Sequence, residues 1–260
     1  MRSYVHLWKN SEWIENAVLF KLSGQKIHMT HSAKSLKWLE FGSKMPGPLG
    51  SFFHSRTRPI READAFREFE AVLKTLGPDD ICLDLGANVG VMTKMIADTG
   101  ASVHAFEPDP TAFAALEAAV GHRDNVILHN AAIGVTDGRA MLNRAKNYES
   151  DPLRKSLGSS VVRTDGWSMD KRLKVEIPVI GLFAFLETLP RPARIIKMDI
   201  EGAEWELREQ MESGLGLDRF EHLFVETHER FNTWVLMPRL RRYLRFSANT
   251  NGPNINLYWK

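Results

Sequence analysis

The sequence predicts an α/β protein: a doubly wound, mostly parallel sheet with helices packed on both faces, preceded by an N-terminal helical extension. Two observations carry this reading. Beyond residue 80, short apolar runs alternate with stretches of helical period, as βαβ units require. "ICLDLG" is followed by a helix from Val91, "SVHAFE" by a helix from Pro110, and then comes "VILHNAAI". The alternation resumes later with "RIIKMDI", a helix after Gly202, and "HLFVET". The second observation is that glycines and acidic residues stand where these runs end, the edge at which open parallel sheets bind ligands.

With 43% hydrophobic and 25% charged residues in 260, the chain can bury one substantial core. Its apolar runs are far shorter than the roughly 20 residues of a membrane-spanning helix. Near the N-terminus, Lys9, Glu12 and Glu15 interrupt the apolar stretch that a signal peptide needs, so a cytoplasmic location is expected. The single cysteine, Cys82, lies within an apolar run and reads as a small buried hydrophobe. Charge is uneven: residues 1–60 hold nine Lys/Arg against three Asp/Glu, and the rest hold 25 against 29. This suggests a basic leader over 1–60 and a ligand-binding domain over 61–260. The leader reads either as a phosphate-meeting surface or as a solvated face with packing tryptophans.

In chain order, "MPGPLGS" (Met45–Ser51) reads as a loop between leader and body, because Pro and Gly break regular structure. Ala65, Phe66, Phe69, Val72, Leu73 and Leu76 then recur at spacings of three and four, predicting a helix over 62–76 that ends at Gly77-Pro78. Asp109 followed by Pro110 supplies a cap and a first helical residue. Between Gly138 and Ile180 the pattern loosens, apart from a strand at "KVEIPVI", and reads as an insertion over the site. The tail carries a basic helix around Pro238 to Leu244 and a last strand at "INLYW", read as an antiparallel closing hairpin after "NTNGPN".

Three motifs carry chemistry. In "DLGANVG", Gly86 and Gly90 allow a tight turn and close approach to a ligand, and Glu107 at the end of the next strand can accept hydrogen bonds from ribose hydroxyls. Asn88 stands where a dinucleotide fingerprint has its second glycine, and Asp84 precedes the first, which suits a ligand with an ammonium and no phosphate. S-adenosylmethionine fits that description. In "KMDIEGAEWE", Asp199 ends a strand at the same edge and Glu201 follows it, whereas Glu204 and Glu206 also suit the dipole of a helix N-terminus. In "VETH", Glu226 and His228 close another strand, and His228 can serve as a base or as a structural histidine. Asp199, Glu226 and His228 could also share a divalent ion, but no fixed ligand spacing is present and no metal is expected.

Five ordered motifs, "DLGANVG", "AFEPDP", "NAAIG", "KMDIEGAE" and "VETH", resemble the FkbM-type methyltransferase family over 81–228. The resemblance implies a seven-stranded, Rossmann-like class I methyltransferase fold with S-adenosylmethionine as donor. It also implies O-methylation of a sugar, glycan or secondary-metabolite hydroxyl. By that likeness Asp84, Gly86, Ala87, Asn88 and Gly90 surround the methionine end, Glu107 and Pro108 the ribose, and Asn130 and Ala131 the adenine. Ser160, in the "GSS" of 158–160, falls in a loop near the donor. Asp199, Glu201 and His228 are the catalytic candidates, and Asp199 is also a candidate for the donor-binding set. Rival readings are a nicotinamide oxidoreductase, which Asn88 disfavours, and a non-catalytic donor-binding module. A nucleic-acid methyltransferase could use Arg239, Arg241, Arg242 and Arg245, but "KMDIEG" lacks the Pro-Pro-aromatic pattern of base amino methylation, so a nucleic-acid partner is not expected.

Overall fold

The computed structural model describes residues 38, 41–43, 45, 47–145, 148–151, 153, 156, 169–201, 203–227 and 233–259. Six strands form the main sheet: β1 (Ile81–Leu85), β2 (Ser102–Phe106), β3 (Val126–His129), β7 (Ala193–Met198), β8 (Phe220–Val225) and β9 (Asn254–Asn256). Their order is β3-β2-β1-β7-β8-β9, and every pairing is parallel. The chain therefore winds outward from β1 through β3, returns to β7 beside β1, and winds outward the other way. This makes the β1/β7 junction the topological switch point, where such sheets open a crevice. The expected architecture is present, with six strands in the main sheet among the described residues where the family likeness suggests seven.

Helices cover both faces. On one, α1 (Gly47–Leu73) and α2 (Val91–Ala97) pack Phe69, Val72, Met92 and Ile96 against Cys82, Val103, Ile195 and Phe224. On the same side, α3 (Pro110–Val120) seats Leu116 and Val120 on Ala87 and Ala105. On the other face, α4 (Leu182–Thr188), α5 (Glu204–Glu212) and α6 (Thr233–Asn249) bury Leu182, Leu186, Leu207, Met211 and Leu240 against Leu83, Ile196 and Leu223. Successive residues of β1 point to opposite helical layers, so Cys82 and Leu83 are both fully buried. Full burial of a side chain such as Leu83 contributes about 1.5–3 kcal/mol.

Three local expectations change. Residues Gly47–Ser51 form the start of α1 rather than a loop, because a helix's first turn tolerates Pro48, whose missing N–H would have no partner there. That helix runs through residues 60 and 61 without a break. The run "VILHNAAI" divides into β3 and β4 (Ala132–Gly134), which belong to different sheets. The last strand is shorter than expected and parallel to β8, with His222 opposite Asn254 and Phe224 opposite Asn256. The 17-residue α6 carries the chain back along the sheet, so the strand re-enters in the same direction and no hairpin forms.

The stretch from Gly138 builds a second, three-stranded sheet, β4-β6-β5, from β5 (Gly138–Ala145) antiparallel to β6 (Met169–Gly181). Its inner side buries Ala132, Leu142 and Ile177. Its outer side carries the exposed Arg139–Glu176 pair.

Candidate active site

A crevice partly open to solvent lies at the carboxyl ends of β1, β2 and β7. Gly86 and Asn88 form its floor, Phe106, Glu107, Pro108 and Asp109 one wall, and Asp199, Ile200, Glu201 and Ala203 the opposite wall. The second sheet contributes Ala132, Ile133 and Leu142, joined by Ala131 and Ser156.

The floor is shaped by backbone geometry. Gly86 has φ +79°, and a Cβ there would lie 1.9 Å from the carbonyl oxygen of Asp199. Gly90, at φ +87°, would press a Cβ to 2.8 Å from Leu116 Cδ1. Both glycines thus permit close approach of protein to protein, β7 to the turn and α2 to α3, where a ligand had been expected to make the demand. Asn88 and Glu201 hold left-handed φ values of 48° and 53° without being glycine, a strain of order 1 kcal/mol each that clusters at functional sites.

Glu107 lies 6% exposed with both carboxylate oxygens engaged. Oε2 accepts from the Asn88 N–H at 2.8 Å and Oε1 from the Asp109 N–H at 2.8 Å. Burial pushes its carboxyl up to about 7, against the downward pull of those two N–H groups and of Lys197. Each oxygen keeps a further lone pair for a hydroxyl in the crevice. Asn130 reaches from the far side, Nδ2 donating to the Glu107 carbonyl at 2.8 Å, and so braces this strand end without lining the crevice.

Asp84 is placed differently. Its side chain is fully buried, Oδ2 accepts from the Thr93 hydroxyl at 2.7 Å, and Oδ1 lies 3.1 Å from Lys197 Nζ. It does not line the crevice, because the neighbouring strand presents a buried ammonium that needs a counter-charge. Ala87 likewise packs inward, against Ala105 and Leu116. His228 and Ser160 lie outside the described residues. Glu226 is buried at the end of β8, its N–H donating to the Met198 carbonyl at 2.9 Å. Among the described residues no cluster of three or more His, Cys, Asp or Glu is arranged to hold a metal ion.

The structure adds residues that the sequence reading passed over. Lys197 is buried and donates to the Gly86 carbonyl at 2.6 Å. A charge of opposite sign in each of two apolar runs was the available signal, since Asp84 and Lys197 are register partners across β1 and β7. Asp109, read only as a cap, does cap α3 by accepting from the Thr111 N–H at 2.9 Å. It also accepts from the Tyr148 hydroxyl at 2.7 Å and faces Arg144 Nε at 3.3 Å. These contacts tie the insertion to the crevice wall. Burial pushes the Tyr148 hydroxyl up to about 12, with Asp109 adding to the rise, so it stays a donor.

A switch-point crevice with a glycine turn, a buried acid at the next strand tip and predominantly acidic charged lining suits a cationic nucleoside, the chemistry of S-adenosylmethionine. Fold and site thus fit the class of S-adenosylmethionine-dependent methyltransferases. More particularly, the chain belongs to the family of the methyltransferase FkbM domain, whose model matches residues 84–250. No curated protein matches the chain significantly.

Among solved structures, the chain is similar to TYW2 of P. horikoshii in complex with MeSAdo, at 27% identity over 24% of this chain and 25% of that one, TM-score 0.22. The precorrin-6y C5,15-methyltransferase of Geobacter metallireducens shares 12% identity over 69% of this chain and 68% of that one, TM-score 0.36. An rRNA methylase of Streptococcus thermophilus shares 11% over 67% and 76%, TM-score 0.36. The first match spans about a quarter of that protein's length. These likenesses are shallow, and the assignment rests on the family match. No helix among the described residues is long and apolar enough to cross a membrane.

Proposed function

We propose that this methyltransferase acts on a hydroxyl oxygen of a sugar, glycan or hydroxylated metabolite. The observation that carries this reading is the pair of acids, Asp199 and Glu201, on the crevice wall facing the Glu107 side. A hydroxyl is a poor nucleophile until its proton is accepted, and a positioned carboxylate at this edge can accept it. Bound S-adenosylmethionine would supply an electrophilic methyl group on a sulfonium.

The chain's own residues do the rest. Glu107 holds the ribose hydroxyls, Gly86 and Asn88 floor the donor site, and Phe106, Ile133 and Leu142 exclude water from it. Asp199 takes the acceptor proton, with His228, three residues beyond the end of β8, as the second candidate. Alignment of donor and acceptor can account for about 7–11 kcal/mol of barrier lowering, and the base for about 10²–10⁴-fold in rate.

The test is incubation with methyl-labelled S-adenosylmethionine and a panel of glycans and hydroxylated metabolites, read by mass spectrometry. Label on oxygen that disappears in Asp199→Asn or His228→Ala, with donor affinity retained, supports the reading. Label appearing on nitrogen or carbon, or turnover undiminished in both variants, refutes it.

A further inference from the structure

Lys197 has no part in the proton transfer above, yet it stands where the crevice is assembled. It faces Asp84 across the β1/β7 register, its Nζ 3.1 Å from Oδ1 and within 2.6 Å of the Gly86 carbonyl oxygen, to which it donates. Both side chains are buried, 5% and 0% exposed. Burial draws the Lys197 ammonium toward neutrality, but Asp84, Asp199 and Glu107 outweigh it and hold the pKa above the ordinary lysine value. The ammonium therefore stays charged.

Two consequences follow from that placement. The Gly86 carbonyl is committed to a β7 side chain, so the peptide that opens the crevice floor is oriented from the neighbouring strand. Gly86 already sits at φ +79° against the Asp199 carbonyl, which leaves this turn little room to find another arrangement. The second consequence is electrostatic. Opposite buried charges at Asp84 and Lys197 nearly cancel beside a ligand that changes charge during turnover: the donor is a sulfonium, the product a neutral thioether.

We propose that Lys197 is a positioning residue that locks the Gly86 turn through its carbonyl and, with Asp84, balances the crevice between sulfonium donor and thioether product. The proposal rests on this crevice being the donor site. Removing the positive member makes the surroundings more negative and favours the donor. Removing the negative member favours the product. Donor and product differ by one methyl and one charge, so the ratio of their dissociation constants reports this balance, whereas a general loosening of the fold weakens both alike.

Calorimetric titration of S-adenosylmethionine and S-adenosylhomocysteine into wild type, Lys197→Met, Asp84→Asn and the double variant tests it. Lys197→Met is expected to weaken both ligands and to move the ratio about threefold or more toward the donor, and Asp84→Asn to move it by a similar factor toward the product. The double variant should restore the wild-type ratio while binding both ligands about tenfold more weakly, since the Gly86 carbonyl has lost its donor. A ratio unmoved in both single variants, or moved in the same direction, overturns the proposal. Where the single variants do not fold, the double variant decides, because it buries no charge at this place: wild-type affinity for both ligands sinks the idea. Glu107→Gln serves as the control. Unchanged binding there shows that the donor sits elsewhere, and the crevice reading and the proposal fall together. Weakened binding there with an inert Lys197–Asp84 pair removes the proposal alone.

Discussion

Two strand ends in this molecule carry an acid at nearly equivalent places, and the fold uses them in opposite ways. At the tip of β2, Glu107 faces the crevice with its oxygens fixed by two backbone N–H groups and its carboxyl pushed up to about 7 by burial. Within β1, one strand over, Asp84 is equally buried but turned to Lys197 and Thr93. The difference is the partner. A carboxylate held by backbone dipoles retains acceptor capacity for a ligand, while a carboxylate opposite a buried ammonium is committed to neutralising it. Burial by itself therefore does not tell a carboxylate that faces the crevice from one that does not; the source of its compensation does.

Substitutions sharpen this contrast. The largest effect is expected at β1, where Asp84→Ala strands the Lys197 ammonium in the core. Loss of one member of a buried ion pair costs about 3–5 kcal/mol, which denaturant unfolding would register. At β2, Glu107→Gln should leave stability closer to wild type and lower donor affinity by roughly ten- to a hundredfold, as expected for hydrogen bonds to a charged acceptor. If the two variants showed the same profile, the contrast between the strand ends would be lost.

A smaller and graded effect is expected with pH. Ribose hydroxyls donating to Glu107 favour its ionised form, so the donor-bound carboxyl titrates below the value of about 7 in the free protein. Donor affinity should be flat above about pH 7 and fall by up to tenfold per unit below it, with proton release on binding near neutrality. Calorimetry in buffers of different ionisation enthalpy would detect that proton. The sign for folding is the reverse: a carboxyl raised from its ordinary 4.5 binds more protons folded than unfolded, so its contribution to stability declines as pH rises through about 7. Glu107→Gln should abolish the pH dependence of binding.

Much of this architecture was legible in the chain itself. Period changes after residue 80 mark the βα units, "DP" marks the start of α3, and the acids at 107 and 199 stand at strand ends that the sheet brings to one edge. The glycines of "DLGANVG" announce a tight turn, though not which neighbour demands it. Less was legible about the second sheet, since its strands pair residues far apart in the chain, Ala140 with Ile177 for example, and single-sequence periodicity does not encode partners. The direction of β9 was also hidden, because "INLYW" reads alike in either orientation.

The sequence by itself determined that there would be a parallel α/β sheet and where the turns after its first strands fall, because local backbone preference and side-chain period are properties of neighbouring residues. Only the tertiary structure decided that Asp84 answers Lys197, that Gly86 yields to the Asp199 carbonyl, and that Asp109 binds the insertion to the crevice wall. Those outcomes depend on which charge or carbonyl arrives from a distant part of the chain. Among buried groups, that arrival settles what each side chain does.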